Sequence, residues 1–133
     1  MKKILLSLIL MWVWTTSSFA VIENKAGEVI GQMGTTFNER NGKTEKVEKG
    51  YIITMNDFLQ TGEDGGMILA YVDDTKFTMG PNTELIIDQF AFDTSKVPII
   101  VAMSTTVNVG TFTYESGQIS NLGGSVEINT ASA

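Results

Sequence analysis

The sequence predicts an all-β fold: short antiparallel strands forming a sandwich or a β-solenoid-like single domain. Three observations predict it. Short apolar runs of strand length alternate with turn signals, and all 13 glycines lie beyond residue 20. Threonine and β-branched residues are common within the runs. No stretch keeps a 3.6-residue apolar period long enough for an amphipathic helix. A chain of 133 residues without a linker, low-complexity tract or charge block is one domain.

The first twenty residues are of a different kind. Met1-Lys2-Lys3 is basic, Ile4 to Trp14 is apolar except for Ser7, and Thr15 to Ala20 is polar and then small. That order is the layout of a secretory signal peptide, with Ser18 and Ala20 suited to an A-x-A cleavage pocket. Residues 1–20 are therefore expected to leave, with the cut between Ala20 and Val21, and residues 21–133 to form the β domain. An anchoring helix needs about 20 apolar residues to cross a bilayer, and this run is shorter. Without Lys2 and Lys3 the chain keeps seven basic residues against fifteen acidic ones, a net charge of −8. Such a surface repels nucleic-acid phosphates and anionic headgroups, so neither nucleic acid nor a membrane surface is an expected partner. Cysteine and histidine are both absent, which removes disulfides, thiol nucleophiles, imidazole bases and the commonest zinc ligands.

The elements follow in order. Val29 to Phe37 reads as a first strand region broken by Gly31 and Gly34. Asn41-Gly42 is a hairpin signal, because both residues tolerate the positive φ of a type I′ turn. Lys43 to Lys49 reads as a polar return strand with Val47 as its one apolar position, an exposed edge. Tyr51-Ile52-Ile53 and Phe58-Leu59 are short apolar runs before the turn Gly62 to Gly66. Met67 to Val72 is apolar on both faces, Met67, Leu69 and Tyr71 against Ile68, Ala70 and Val72, so it is expected to be covered on two sides. Asp73-Asp74 turns the chain. In Lys76 to Met79, Phe77 and Met79 share a face. Gly80-Pro81-Asn82 is another turn. Glu84 to Phe92 places Leu85 and Ile87 on one side and Ile86, Phe90 and Phe92 on the other. Val97 to Met103 is a strand that Pro98 confines to a start or an edge. Val107 to Tyr114 alternates as a further strand. Ser116-Gly117 and Gly123-Gly124 turn before a last strand, Val126 to Asn129.

No constellation in this pattern points to catalysis or to a cofactor. Asp73-Asp74 and Glu63-Asp64 lack the spacing of a calcium loop, and neighbouring turn carboxylates point apart, so they read as solvated turn residues. Asp88 is the one acid inside an apolar strand pattern; it reads as outward-facing or accepting hydrogen bonds at an edge. Ser95 and Lys96 are neighbours in a turn and cannot easily aim at one substrate atom. Gly62, Gly65 and Gly66 lie between strands rather than before a helix, which excludes a phosphate loop. Met33, Met55, Met67, Met79 and Met103 read as core filling.

An ordered series carries a resemblance. Thr61-Gly62, Asp64-Gly65, Leu69, Asp73, Thr75, then Met79 to Leu85, Phe90 and Asp93 resemble the FecR domain, a periplasmic module associated with iron-siderophore signalling. Gly110-Thr111-Phe112, Ser116-Gly117 and Val126 to Thr130 look like the family's later part. Asp74 stands where that family has glycine, and Asn129-Thr130-Ala131 where it often has a threonine-proline. Its further strand with an R-G-T motif would lie beyond Ala133, and its cytoplasmic anti-sigma segment and spanning helix are replaced here by the signal peptide. The resemblance implies an extracytoplasmic, non-catalytic β module occupied with protein or envelope contacts.

The expectation is thus an exported, non-enzymatic protein, periplasmic or secreted from a bacterium, without cofactor, catalytic or metal residues. It is expected to bind an envelope protein or cell-wall component, in envelope signalling or otherwise. A structural module of a larger secreted assembly is the alternative, and a carboxylate-dependent hydrolase a distant third. The last strand, with Glu127 as its one charge and no proline, is the expected contact edge for a protein partner or for self-association.

Overall fold

The computed structural model describes residues 25–93, 95 and 100–130. The signal-peptide reading of residues 1–20, Lys96, and Val97 and Pro98 lie outside them. Among the described residues eleven strands form two sheets, with one helical turn between them in sequence. The first sheet has the order β10 (Phe112–Glu115), β7 (Lys76–Met79), β6 (Gly66–Tyr71), β1 (Lys25–Met33), β4 (Ile52–Thr54). The second has the order β11 (Ser125–Thr130), β9 (Ile100–Val109), β8 (Glu84–Asp93), β5 (Phe58–Thr61), β2 (Thr36–Arg40), β3 (Lys43–Lys46). Chain neighbours repeatedly cross between sheets, so the fold is a sandwich and not a solenoid of stacked turns.

One core lies between the sheets. The first sheet supplies Ala26, Val29, Ile53, Met67, Leu69 and Phe77; the second supplies Leu59, Leu85, Ile87, Phe90, Met103 and Val107. Phe77 packs edge-on to Tyr71 and stacks on Phe112, with ring centroids 6.0 and 5.6 Å apart. The predicted alternation of β7 holds, with Phe77 and Met79 buried and Lys76 and Thr78 exposed.

The hairpin at Asn41-Gly42 forms as expected, with φ of 53° and 76° at its two corners. It joins β2 to β3, and β3 is an edge. Gly34 (φ 62°) marks where the first predicted strand region divides into β1 and β2, one in each sheet. Its positive φ is steered by the turn opposite, where Asp64 accepts a hydrogen bond from the Thr35 amide at 3.1 Å.

Four expectations are corrected. β6 is covered on one side only: Met67, Leu69 and Tyr71 are buried, but Ile68 and Val72 are 37% and 42% exposed on the outer face. Apolar residues on both faces therefore did not imply two covers. In β8 the register slips between Ile87 and Gln89, a bulge at Asp88 that returns Phe90 to the face of Leu85 and Ile87. The predicted strand over residues 107–114 is divided. β9 runs to Val109, the chain turns at Gly110-Thr111, and β10 continues in the other sheet. That corner is held by Thr83, whose hydroxyl accepts the Thr111 amide at 3.1 Å. Finally, β11 pairs with β9 in parallel, among the described residues the one parallel pairing in otherwise antiparallel sheets.

Candidate functional site

The parallel last strand follows from the chain's route. After β9 the backbone leaves for β10 in the first sheet. It then crosses back through Ser116-Gly117 and one helical turn, α1 (Gln118–Asn121). Parallel neighbours need such a crossover. The turn is pinned at Asp73. The Gln118 amide donates to the Asp73 carbonyl at 2.7 Å, the Ile119 amide to its carboxylate at 3.2 Å, and the fully buried Ile119 side chain anchors the rest. β11 then runs beside β9 with Ser125 opposite Ala102 and Thr130 opposite Val107.

Along β11, Val126 and Ile128 turn inward and pack half-buried against the core; Ser125, Glu127, Asn129 and Thr130 are exposed. Among the described residues no strand lies on its other side. The remaining three sheet edges differ. β3 is four residues long, and three of them, Lys43, Glu45 and Lys46, are charged. β4 is three residues long and is covered: the Arg40 guanidinium donates to the Ile52 carbonyl at 2.9 Å and the Asp57 carboxylate accepts the Thr54 amide at 2.9 Å. β10 has four residues and closes on Glu115. Among the described residues the six-residue β11 is the longest edge; it carries one charge, and the one edge without charge, β4, is the short and covered one. Unpaired backbone donors and acceptors on a flat, weakly charged edge are a template for another strand.

A second feature is a shallow groove of about 360 Å³ on the outer face of the first sheet. Gly31, Gly66 and Gly80 lower its floor, and Met33, Ile68 and Pro81 form its walls. Met33, read as core from the sequence, is 63% exposed here. No charged side chain lines the groove, so it offers apolar contact and no acid or base.

The carboxylates considered for chemistry hold the fold. Asp73 is not a solvated turn residue: it is fully buried and accepts from the Thr75 amide (3.2 Å), the Thr75 hydroxyl (2.8 Å) and the Ile119 amide. Asp74, in the left-handed region at φ 70°, accepts from the Gln118 side chain at 3.0 Å. Asp64 sits below its ordinary carboxyl pKa because Thr35 donates to it. Glu63 stands next to Asp64 in the same turn. Asp88 is exposed on its bulge and accepts the Thr106 hydroxyl at 2.6 Å. Ser95 is exposed and bonds to Asp93. Gly62 and Gly65 close the turn between β5 and β6, the Gly65 amide donating to the Gly62 carbonyl at 3.0 Å. Among the described residues no three carboxylates gather where they could hold a metal ion.

The sequence reading missed a polar cluster beside β3. Asp57, fully buried, receives two bonds from Arg40, each 2.7 Å. Those bonds raise the guanidinium pKa. The Tyr51 ring lies under Arg40, and its hydroxyl accepts from the Asn38 side-chain amide at 3.0 Å and donates to Glu45 at 2.7 Å; burial pushes its pKa up. Asn38 and Thr36 are inward-facing polar residues of β2, which is why no apolar alternation announced that strand. A second polar pair spans the core, the Tyr71 and Thr105 hydroxyls from opposite sheets, each without a hydrogen bond of good geometry.

The polar residues that carried the family resemblance include several that close turns, while Leu69, Met79, Leu85 and Phe90 lie in the core. Thr61 donates to the Gly80 carbonyl at 2.7 Å and accepts the Thr83 amide at 2.9 Å. Asp64 holds Thr35, and Asp73 holds Thr75. Comparison of the chain with family models, with curated proteins and with solved structures gave no match. Among the described residues no helix is long and apolar enough to cross a membrane.

Proposed function

We propose that this chain is an exported, non-enzymatic FecR-like module, periplasmic or secreted from a bacterium, that binds a protein partner of the envelope by taking up a strand at β11. The observation that carries the reading is the free side of β11: six residues, one charge, no proline, no covering strand among the described residues. Main-chain hydrogen bonds supply affinity in strand addition, and alternate side chains supply selectivity. The non-catalytic part of the reading is supported by the carboxylates, which hold turns and corners rather than converging on a cleft. Export is supported by the first twenty residues, and mass spectrometry of exported protein should find Val21 at the N-terminus.

The same edge supports the structural alternative, in which the strand taken up belongs permanently to a larger assembly. The two differ in whether the strand exchanges. The test is a photo-crosslinking residue placed at Glu127 or at Lys46 in the exporting cell. The reading expects a protein adduct at position 127, mapping to an extended segment, and none at position 46. No adduct at 127, or equal adducts at both edges, overturns it.

A further inference from the structure

We propose that the strand accepted by β11 is β11 of a second copy, giving a two-fold dimer in which the two six-stranded sheets continue into each other. The inference rests on the reading of β11 as a strand acceptor and names the strand. It is argued from the edge's complementarity to itself.

Opposed residues of an antiparallel pair point to the same face of a sheet. In β11, Val126 and Ile128 face the core and Glu127 faces out. A two-fold pairing that keeps both cores on one side must therefore be centred on a residue, not between residues. Centred on Glu127, it would set two carboxylates against each other, which is destabilising. Centred on Ile128, it sets Ile128 against Ile128, Val126 against Thr130, and each Glu127 against a neutral Asn129. The second register extends the inner apolar face across both copies and opposes no like charges.

The ends of the strand fit the same arrangement. Just before β11, Leu122 is 46% exposed. At its other end is a hollow of about 200 Å³ lined by Val107, Asn108, Val109, Gly110, Phe112 and Thr130. Antiparallel pairing brings the start of one β11 beside the end of the other. Each Leu122 then approaches the other copy's hollow, twice by symmetry, as an isologous interface requires. The net charge of −8 expected for residues 21–133 opposes association at long range, so added salt should tighten the dimer.

The test is sedimentation velocity on the exported chain over a range of concentrations and salt. The wild type should be dimeric and tighten with salt. Asn129→Glu places a like charge opposite Glu127 at two symmetric positions and should weaken the dimer about fivefold. The double variant Glu127→Lys, Asn129→Glu turns both contacts attractive and should restore it. Both positions are exposed, and unchanged circular dichroism and melting temperature will show that the fold is intact. A monomer at every concentration overturns the proposal, as does a dimer indifferent to Asn129→Glu. A monomer that still gives a foreign-protein adduct at position 127 removes the second copy while leaving the strand-acceptor reading in place.

Discussion

The six-stranded sheet ends in two different ways. At β3 the edge is short and charged, and the neighbouring β2 is tied by Arg40 to Asp57 and the end of β4. At β11 the edge is longer and nearly neutral, and its approach is pinned at Asp73, with Asp74 bonded to Gln118 and Ile119 buried behind it. Both ends use a fully buried aspartate. Asp57 has a guanidinium as partner, and Asp73 has only amides and a hydroxyl. The difference separates closing an edge from presenting one. Charges and a cross-braced ion pair make β3 unfit for pairing, whereas hydrogen bonds to the backbone position β11 without covering it.

The largest expected effect lies at the closed end. Asp57→Ala strips Arg40 of its partner and leaves the Thr54 amide without an acceptor. Removing one side of such a pair should cost about 3 kcal/mol, the exposed third of Arg40 limiting the loss through hydration. Urea denaturation measures it. A cost under about 0.5 kcal/mol, the level of an ordinary surface change, would mean that the ion pair is no brace.

At the open end, Asp73→Ala should cost about 2 kcal/mol. Two buried amides, of Thr75 and Ile119, lose their acceptor. The loss is smaller because the variant also removes a buried charge that had no cation beside it. Its signature is local: amide exchange should rise in α1 and β11 while β2 and β3 stay protected. Uniform exchange across both ends would erase the distinction between them.

The closed end was more legible in the sequence than the open one, for physical reasons. Asn41-Gly42 and the charges of β3 are local signals, since turn chemistry and edge charge act within a few residues. The last strand was read at residues 126–129, and its weak charge pointed to an edge. Its parallel direction was not legible, because direction depends on a crossover whose anchor, Asp73, lies 46 residues from Ile119. The bulge at Asp88 and the corner at Gly110 escaped for the same reason: register belongs to a pair of strands, and Thr83 holds Thr111 from 28 residues away. Asp73-Asp74 looked like a solvated turn because sequence shows a carboxylate but not its donors.

A corner between the two ends tests whether hydrogen-bonded carboxylates act alike. Asp64 joins the Gly34-Thr35 turn to the β5–β6 connection, and its carboxyl is held below the usual value by Thr35. A folded-state pKa below the unfolded one contributes stability that is present above the unfolded value and lost as pH falls through the folded value. The advantage of the wild type over Asp64→Asn should therefore be constant near neutrality and vanish on acidification through the lower carboxylate range. Because Asp64 is exposed, the effect should be the smallest among the three aspartates. An advantage that grows on acidification would contradict the assigned hydrogen bonds.

The smallest expected effect on stability carries the sharpest consequence for association. Lys43 and Lys46 are exposed, and Lys43 reaches Glu45 only at 3.7 Å with its own side chain 79% exposed. Such a surface pair contributes little. Lys43→Thr with Lys46→Thr should change stability by under about 0.5 kcal/mol. Threonine favours strands, so β3 itself should persist. What disappears is the lysine charge that keeps other strands away. Glu45 remains bonded to Tyr51, so the edge loses repulsion without losing its anchor. A chain that already pairs through β11 would then have a second adhesive edge on the far side of the same sheet. Two isologous edges on opposite sides do not close into a ring of two; they extend into linear chains. The double variant should therefore sediment as species larger than the dimer, and Asn129→Glu added to it should shorten those chains. A variant that stays dimeric with β3 stripped of its lysines would show that length or the Arg40–Asp57 brace, not the lysine charge, is what separates the two edges.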